Sequence, residues 1–221
     1  MENFNVQYAS EGLTLPNNYS VRVESEGIKF TLDSLKITEP IVLLGHSYGG
    51  LIALDFALNH PSRVLALILI EPPVFDMAKA KNESPKGMKE MQMLTKELTS
   101  KANITEELVE RFRCELLNCD SISIRQLPQW QTWVQQKNRL RGLSAVGEYK
   151  LDLNKIHRFQ KPVLIITGTN TVVFHKRIDE LLAKEFHAAT SVSIQSGHAI
   201  PSSAPIALVA SVRNFIESIG H

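Results

Sequence analysis

Apolar residues are spaced in two ways along this chain. Residues 41–44 and 64–70 are unbroken apolar runs, the pattern of strands buried on both faces of a parallel sheet. Residues 162–167 and 191–195 predict two further strands, and a short extended candidate, Phe4-Asn5-Val6-Gln7-Tyr8, lies near the start. Between the strands the spacing is helical. Val21, Ile28, Leu32 and Leu35 share one face of a helix predicted over 19–35, with Ser20 as its cap, and 51–58, 176–186 and 204–219 predict three more. Pro61 ends the helix that begins near Leu51. Strands alternating with helices predict an α/β fold, a mostly parallel sheet flanked by helices.

From Asp76 to about Gln160 the pattern changes. Lys and Glu become frequent, methionine recurs at 77, 88, 91 and 93, and only helical periodicity remains. Asn103, with Glu106 three residues on, reads as the cap of a helix whose apolar face is Leu108, Val109, Phe112, Leu116 and Leu117. The expectation is a helical lid at 76–160 inserted into a core formed by 1–75 and 161–221. Trp130 and Trp133 lie in it, either lining an acyl pocket or simply packing.

Composition narrows the function classes. A net charge of +1 on 221 residues offers no basic field for nucleic acid. No leader-like start and no apolar run of membrane-spanning length are present, so a cytoplasmic protein with no membrane partner is expected. Cys114 and Cys119, five apart in a predicted helix, read as reduced packing residues and cannot make a metal site by themselves. No zinc-ligand spacing or phosphate-binding glycine loop occurs, so no metal and no cofactor are expected.

The chemistry is concentrated where the first run ends. Gly45-His46-Ser47-Tyr48-Gly49 joins a strand to a helix in so few residues that the serine must take a strained backbone conformation and expose its hydroxyl. Gly45 and Gly49 are expected to leave room for that turn. His198, in Ser196-Gly197-His198 after the strand at 191–195, falls at the same carboxyl edge of the sheet, where open α/β sheets bind ligands. Its side chain suits a base that must later act as an acid. His175 is the rival in another carboxyl-edge loop, while His46 neighbours the serine but points into the protein.

These stretches, with Asn59-His60-Pro61-Ser62-Arg63-Val64 and Lys161-Pro162-Val163-Leu164-Ile165-Ile166-Thr167-Gly168, resemble the α/β-hydrolase family from about Asn17 to the C-terminus. The resemblance implies an α/β-hydrolase-like sheet with an inserted helical lid. It also implies Ser47 as nucleophile, His198 as general base, and the Tyr48 N–H as an oxyanion donor. His46, Trp130 and Trp133 join Tyr48 in the expected oxyanion and substrate-binding group.

Two departures from the family stand out. Its usual aspartate position is Thr171, in Gly168-Thr169-Asn170-Thr171. Glu71, ending the strand at 64–70, is the candidate replacement, because some relatives take their acid from that strand end and the order Ser47, Glu71, His198 is kept. A capping role for Glu71 and a neutral orienting role for Asn170 are the alternatives. The other departure is the missing His-Gly oxyanion loop, so that against the family the chain is N-terminally shortened, beginning near the fourth strand. That leaves strand 41–44 as an apolar edge, expected to be covered by Phe4–Tyr8 or by a second copy in a homodimer.

Three functions remain open at this level. One is a serine hydrolase acting on a small-molecule ester or related acyl substrate through an acyl-enzyme on Ser47. Another is a weak or inactive relative that binds a small molecule or partner. The last is a truncated form of a longer hydrolase.

Overall fold

The computed structural model of the chain describes residues 15–101, 103–119 and 124–220. Four strands, β1 (Ile41–His46), β2 (Val64–Ile70), β3 (Val163–Gly168) and β4 (Ala189–Ile194), form one sheet in the order β1-β2-β3-β4. Every pairing is parallel. The apolar runs are buried as their composition requires: Leu67, Ile68, Leu69 and Ile70 are fully enclosed, as is Ile166.

Helix α1 (Val21–Ser34) is capped by Ser20, whose hydroxyl accepts from the Val23 N–H at 3.3 Å. It packs against α2 (Tyr48–Asn59), which follows β1 and is buried from Gly50 to Leu58. Between β2 and β3 run α3 (Phe75–Ala80), α4 (Met88–Ser100), α5 (Glu106–Leu117), α6 (Trp130–Gln135), α7 (Ser144–Glu148) and α8 (Leu153–Arg158). Helix α9 (Val173–Glu185) joins β3 to β4, and α10 (Ile200–Ser203) and α11 (Pro205–Ile219) complete the described chain. No described helix is long and apolar enough to cross a membrane.

Two apolar cores flank the sheet. The larger holds α1, α2, α9 and the helices between β2 and β3, including Met77, Met88 and Met91. The smaller sets Ala66, Ile68, Ile70, Leu164 and Ile166 against Ile200 and Phe215. Met93 is 64% exposed, so the four methionines do not share one role.

Several local expectations are corrected. Helix α5 is capped by Thr105, which accepts from the Leu108 N–H, rather than by Asn103. Threonine at that position satisfies an orphan first-turn donor directly. Cys114 and Cys119 are joined in a disulfide with Cα atoms 5.0 Å apart. The helix stops before Cys119, and Asn118 in the left-handed conformation turns the chain back over its last turn.

The glycines of the elbow also divide differently from the expectation. A Cβ on Gly45 would lie 2.3 Å from the Gly49 carbonyl oxygen and 2.7 Å from the Gly50 Cα, whereas one on Gly49 would meet nothing within 4 Å. The second crowded position is instead Gly50, whose Cβ would fall 3.1 Å from the Gly45 oxygen and 3.2 Å from the Pro72 Cβ. Gly45→Ala is therefore expected to cost about 3 kcal/mol or more, because only backbone can move. Gly49→Ala should be tolerated, and urea midpoints of the two variants test the contrast.

Among the described residues β1 pairs with β2 alone, and Leu44 is 36% exposed. The segment Phe4–Tyr8, expected to cover this edge, lies outside the described residues. A homodimer through β1 stays our proposal for closing it.

Candidate active site

The register of the sheet builds the site. His46 is level with Ile70 across β1 and β2, so the next residues, Ser47 and Glu71, leave adjacent strands side by side at their carboxyl ends. Both do so with positive φ, 52° at Ser47 and 45° at Glu71, a region that non-glycine residues seldom occupy and that concentrates at functional sites. The Ser47 N–H is held by the Ile70 carbonyl at 2.8 Å, which locks the two turns together.

His198 arrives from the loop after β4. Its Nε2 lies 3.0 Å from Ser47 Oγ and its Nδ1 lies 2.6 Å from Glu71 Oε2. With the Nδ1–H donated to the carboxylate, Nε2 carries the lone pair and accepts the serine hydroxyl proton. His198 and Glu71 are buried at 3% and 0% exposure, while Ser47 is only half-buried. The arrangement can therefore move a proton from an accessible hydroxyl into a water-poor interior.

Glu71 receives two more donors. The Gly168 N–H gives to Oε1 at 2.7 Å and the Thr171 hydroxyl gives to Oε2 at 2.8 Å. Gly168 must be glycine to allow this approach, since a Cβ there would meet the Ser196 oxygen at 2.5 Å and Glu71 Oε1 at 3.1 Å. Thr171 is thus no mere vacancy at the usual acid position. It holds the carboxylate of Glu71, just past β2, through its hydroxyl. Asn170 is exposed and makes no bond to His198 with its side chain, its oxygen instead meeting the Thr169 hydroxyl.

A second carboxyl group lies behind the first. Asp179, on α9, is pushed well above the usual carboxylate range by burial, and the neighbouring charge of Glu71 adds to the push, against a hydrogen bond from Thr167 at 2.6 Å.

The remaining predicted residues are placed as follows. Tyr48 begins α2, so its N–H precedes the first intrahelical acceptor and is free to face an oxyanion. Its phenol turns away to the Tyr19 hydroxyl at 3.0 Å, and Tyr19 donates to the buried Glu24 at 2.7 Å. The His46 ring is engaged with the backbone: its Nε2–H donates to the carbonyl of His198 at 2.8 Å. Burial pushes its pKa down to about 4, the nearby His198 adding to the effect. Trp130 and Trp133 sit in the helical segment with the guanidinium groups of Arg125 and Arg113 over their rings at 5.3 and 4.7 Å. Two clefts of about 470 and 370 Å³ open on that segment, one against Leu94, Cys114 and Val172, the other against Phe75, Thr95 and Ser144, and neither is lined by Ser47.

Glu71, His175 and His198 offer ligand atoms within 4.8 Å of one another. They do not suit an ion as placed. The His175 and His198 rings stack with 18° between their planes, so their in-plane lone pairs run nearly parallel and cannot converge on one centre. The Glu71 oxygens are already bonded to three donors.

Comparison with known proteins agrees with this architecture. The family model described as alpha/beta hydrolase fold matches residues 3–205. Among curated proteins, 64 residues are 28% identical to the cis-3-alkyl-4-alkyloxetan-2-one decarboxylase of Shewanella oneidensis, covering 29% of this chain and 20% of that protein. The chain therefore spans about a fifth of the length of that relative. Among solved structures, an esterase from Exiguobacterium antarcticum has a TM-score of 0.72 at 18% identity, covering 97% of this chain and 87% of that one. An enol-lactonase from Burkholderia xenovorans also has a TM-score of 0.72, at 15% identity, covering 93% and 76%. At such identities the likeness establishes the fold alone.

Proposed function

Since the chain belongs to the alpha/beta hydrolase family, we propose that it is a serine hydrolase cleaving a small ester or related acyl substrate through an acyl-enzyme on Ser47. The observation that carries the reading is the unbroken chain from Ser47 Oγ to His198 Nε2, and from His198 Nδ1 to Glu71 Oε2. Esterase and lactonase structures among the similar folds support the substrate class.

In this mechanism Ser47 Oγ attacks the acyl carbon while its proton passes to His198 Nε2. The carbonyl π electrons move to oxygen, and the Tyr48 N–H at the start of α2 stabilises the resulting oxyanion. Collapse breaks the bond to the alcohol, which leaves with the proton from His198. Water then attacks the acyl-enzyme with His198 again as base, and the acid product departs as Ser47 recovers its proton. Glu71 accepts from Nδ1 throughout, holding the tautomer and balancing the imidazolium charge. The helical segment between β2 and β3 would serve as the lid over this site.

A fluorophosphonate probe tests the reading. One covalent adduct on Ser47, located by peptide mass spectrometry, is the expected result. The competing reading, a binding relative without turnover, rests on the missing His-Gly oxyanion donor and predicts a folded protein that takes no label.

A further inference from the structure

Two other imidazoles lie against the ring of His198. The ring of His175 stacks on it at 4.5 Å between centroids, and the ring of His46 lies 4.8 Å away, tilted by 38°. The two flanking groups come from different elements, His46 from the end of β1 and His175 from the first turn of α9. His46 also grips the backbone of His198 through the 2.8 Å bond to its carbonyl. His175 has no such bond. It is 1% exposed, and neither of its ring nitrogens has a hydrogen-bond partner. Two unsatisfied nitrogens in a core are costly, so hydrogen bonding does not account for an imidazole there.

What His175 does contribute is a flat face. The fully buried Phe174 ring packs against it at 4.4 Å, which confines the imidazole within the core. Burial keeps His175 neutral, its pKa driven well below the ordinary value, with the proximity of His198 acting in the same direction. A neutral ring beside a base that becomes cationic gives it a π face and no competing charge.

Resting on the triad reading above, we propose that His175 is a positioning residue: its ring face, stacked on His198 while His46 holds the His198 carbonyl, clamps His198 in the rotamer that reaches both Ser47 and Glu71. The clamp requires an aromatic plane and has no use for the ring nitrogens.

The two properties separate in a pair of substitutions. His175→Phe keeps the plane and removes both unsatisfied nitrogens, whereas His175→Leu fills the space without a plane. His175→Phe is expected to keep kcat within about threefold of the parent, and His175→Leu to lose roughly tenfold or more in kcat at unchanged KM. Proton NMR reads the same distinction without turnover. The far-downfield resonance of the His198 Nδ1–H bonded to Glu71 should persist in His175→Phe and broaden or vanish in His175→Leu.

Equal activity and equal spectra for the two variants would overturn the clamp, and so would a loss in His175→Phe as large as in His175→Leu. Should either variant fail to fold, the parent protein decides. Ring nitrogen shifts must show His46 and His175 both neutral at pH 6, and a protonated ring at either position would refute the arrangement. A protein that never turns over an ester but shows the predicted spectra would sink the hydrolase reading and leave the clamp standing.

Discussion

Ser47→Ala is expected to lower ester turnover by roughly 10⁴- to 10⁶-fold and to abolish probe labelling, leaving the fold intact. Only the hydroxyl supplies the attacking electron pair, and among the described residues the sole hydrogen bond it makes to a side chain is the 3.0 Å contact to His198. Alanine inherits the positive φ of 52° at this position at the same steric cost as serine, so the melting temperature should change by no more than a few degrees. Ser47→Gly removes that cost as well as the nucleophile. It should be inactive yet about 1 kcal/mol more stable, as measured by chemical denaturation. A gain in stability with a total loss of activity would show that the strained turn is kept for its chemistry. Retained turnover in Ser47→Ala would eliminate the acyl-enzyme.

Glu71→Gln is the next largest effect, a loss of roughly 10³- to 10⁴-fold in kcat with little change in KM. Three donors converge on this carboxylate, from Gly168, Thr171 and His198. A glutamine offers one acceptor oxygen and one NH₂ group, so at least one donor must face another donor. His198 can relieve the clash by moving its proton to Nε2, which is the wrong tautomer for receiving one from Ser47. Buried and partnerless, the displaced donor should also cost about 1–3 kcal/mol of stability. Thr171→Val removes a single donor and keeps the carboxylate, so it should lose only about tenfold. Steady-state kinetics on both variants, with denaturation curves, would distinguish an orienting acid from a merely structural one. If the glutamine variant turns over like the parent, Glu71 is not the acid.

Much of the site could be read from residue order because its geometry is local. The two glycines flanking the serine, the apolar run before it and the helix after it are set by contacts within a few residues, and strand ends in a parallel sheet fall on one edge by construction. The same reasoning placed Glu71 and His198 on that edge without any distances. It failed where a close contact is made by parts of the chain far from each other in sequence. Thr171 reads as an acid lost, because a hydroxyl at that position has meaning only once a carboxylate 100 residues earlier comes within 2.8 Å of it. His175 reads as a rival base, because its burial and its stacking are invisible in the spacing. His46 reads as a substrate group because it adjoins Ser47, although its partner is a carbonyl 152 residues away.

Hydrophobic periodicity thus determined the alternation of strands and helices and which residues end on the carboxyl edge of the sheet, since burial of apolar side chains follows the pattern, and the Gly45-His46-Ser47-Tyr48-Gly49 motif determined the elbow. Only the tertiary structure decided which donors surround Glu71, which rings touch His198, and that a side chain is crowded at Gly50 rather than at Gly49. The first two outcomes depend on contacts between segments far apart in sequence that no local rule connects, and the last on how tightly the elbow closes on itself.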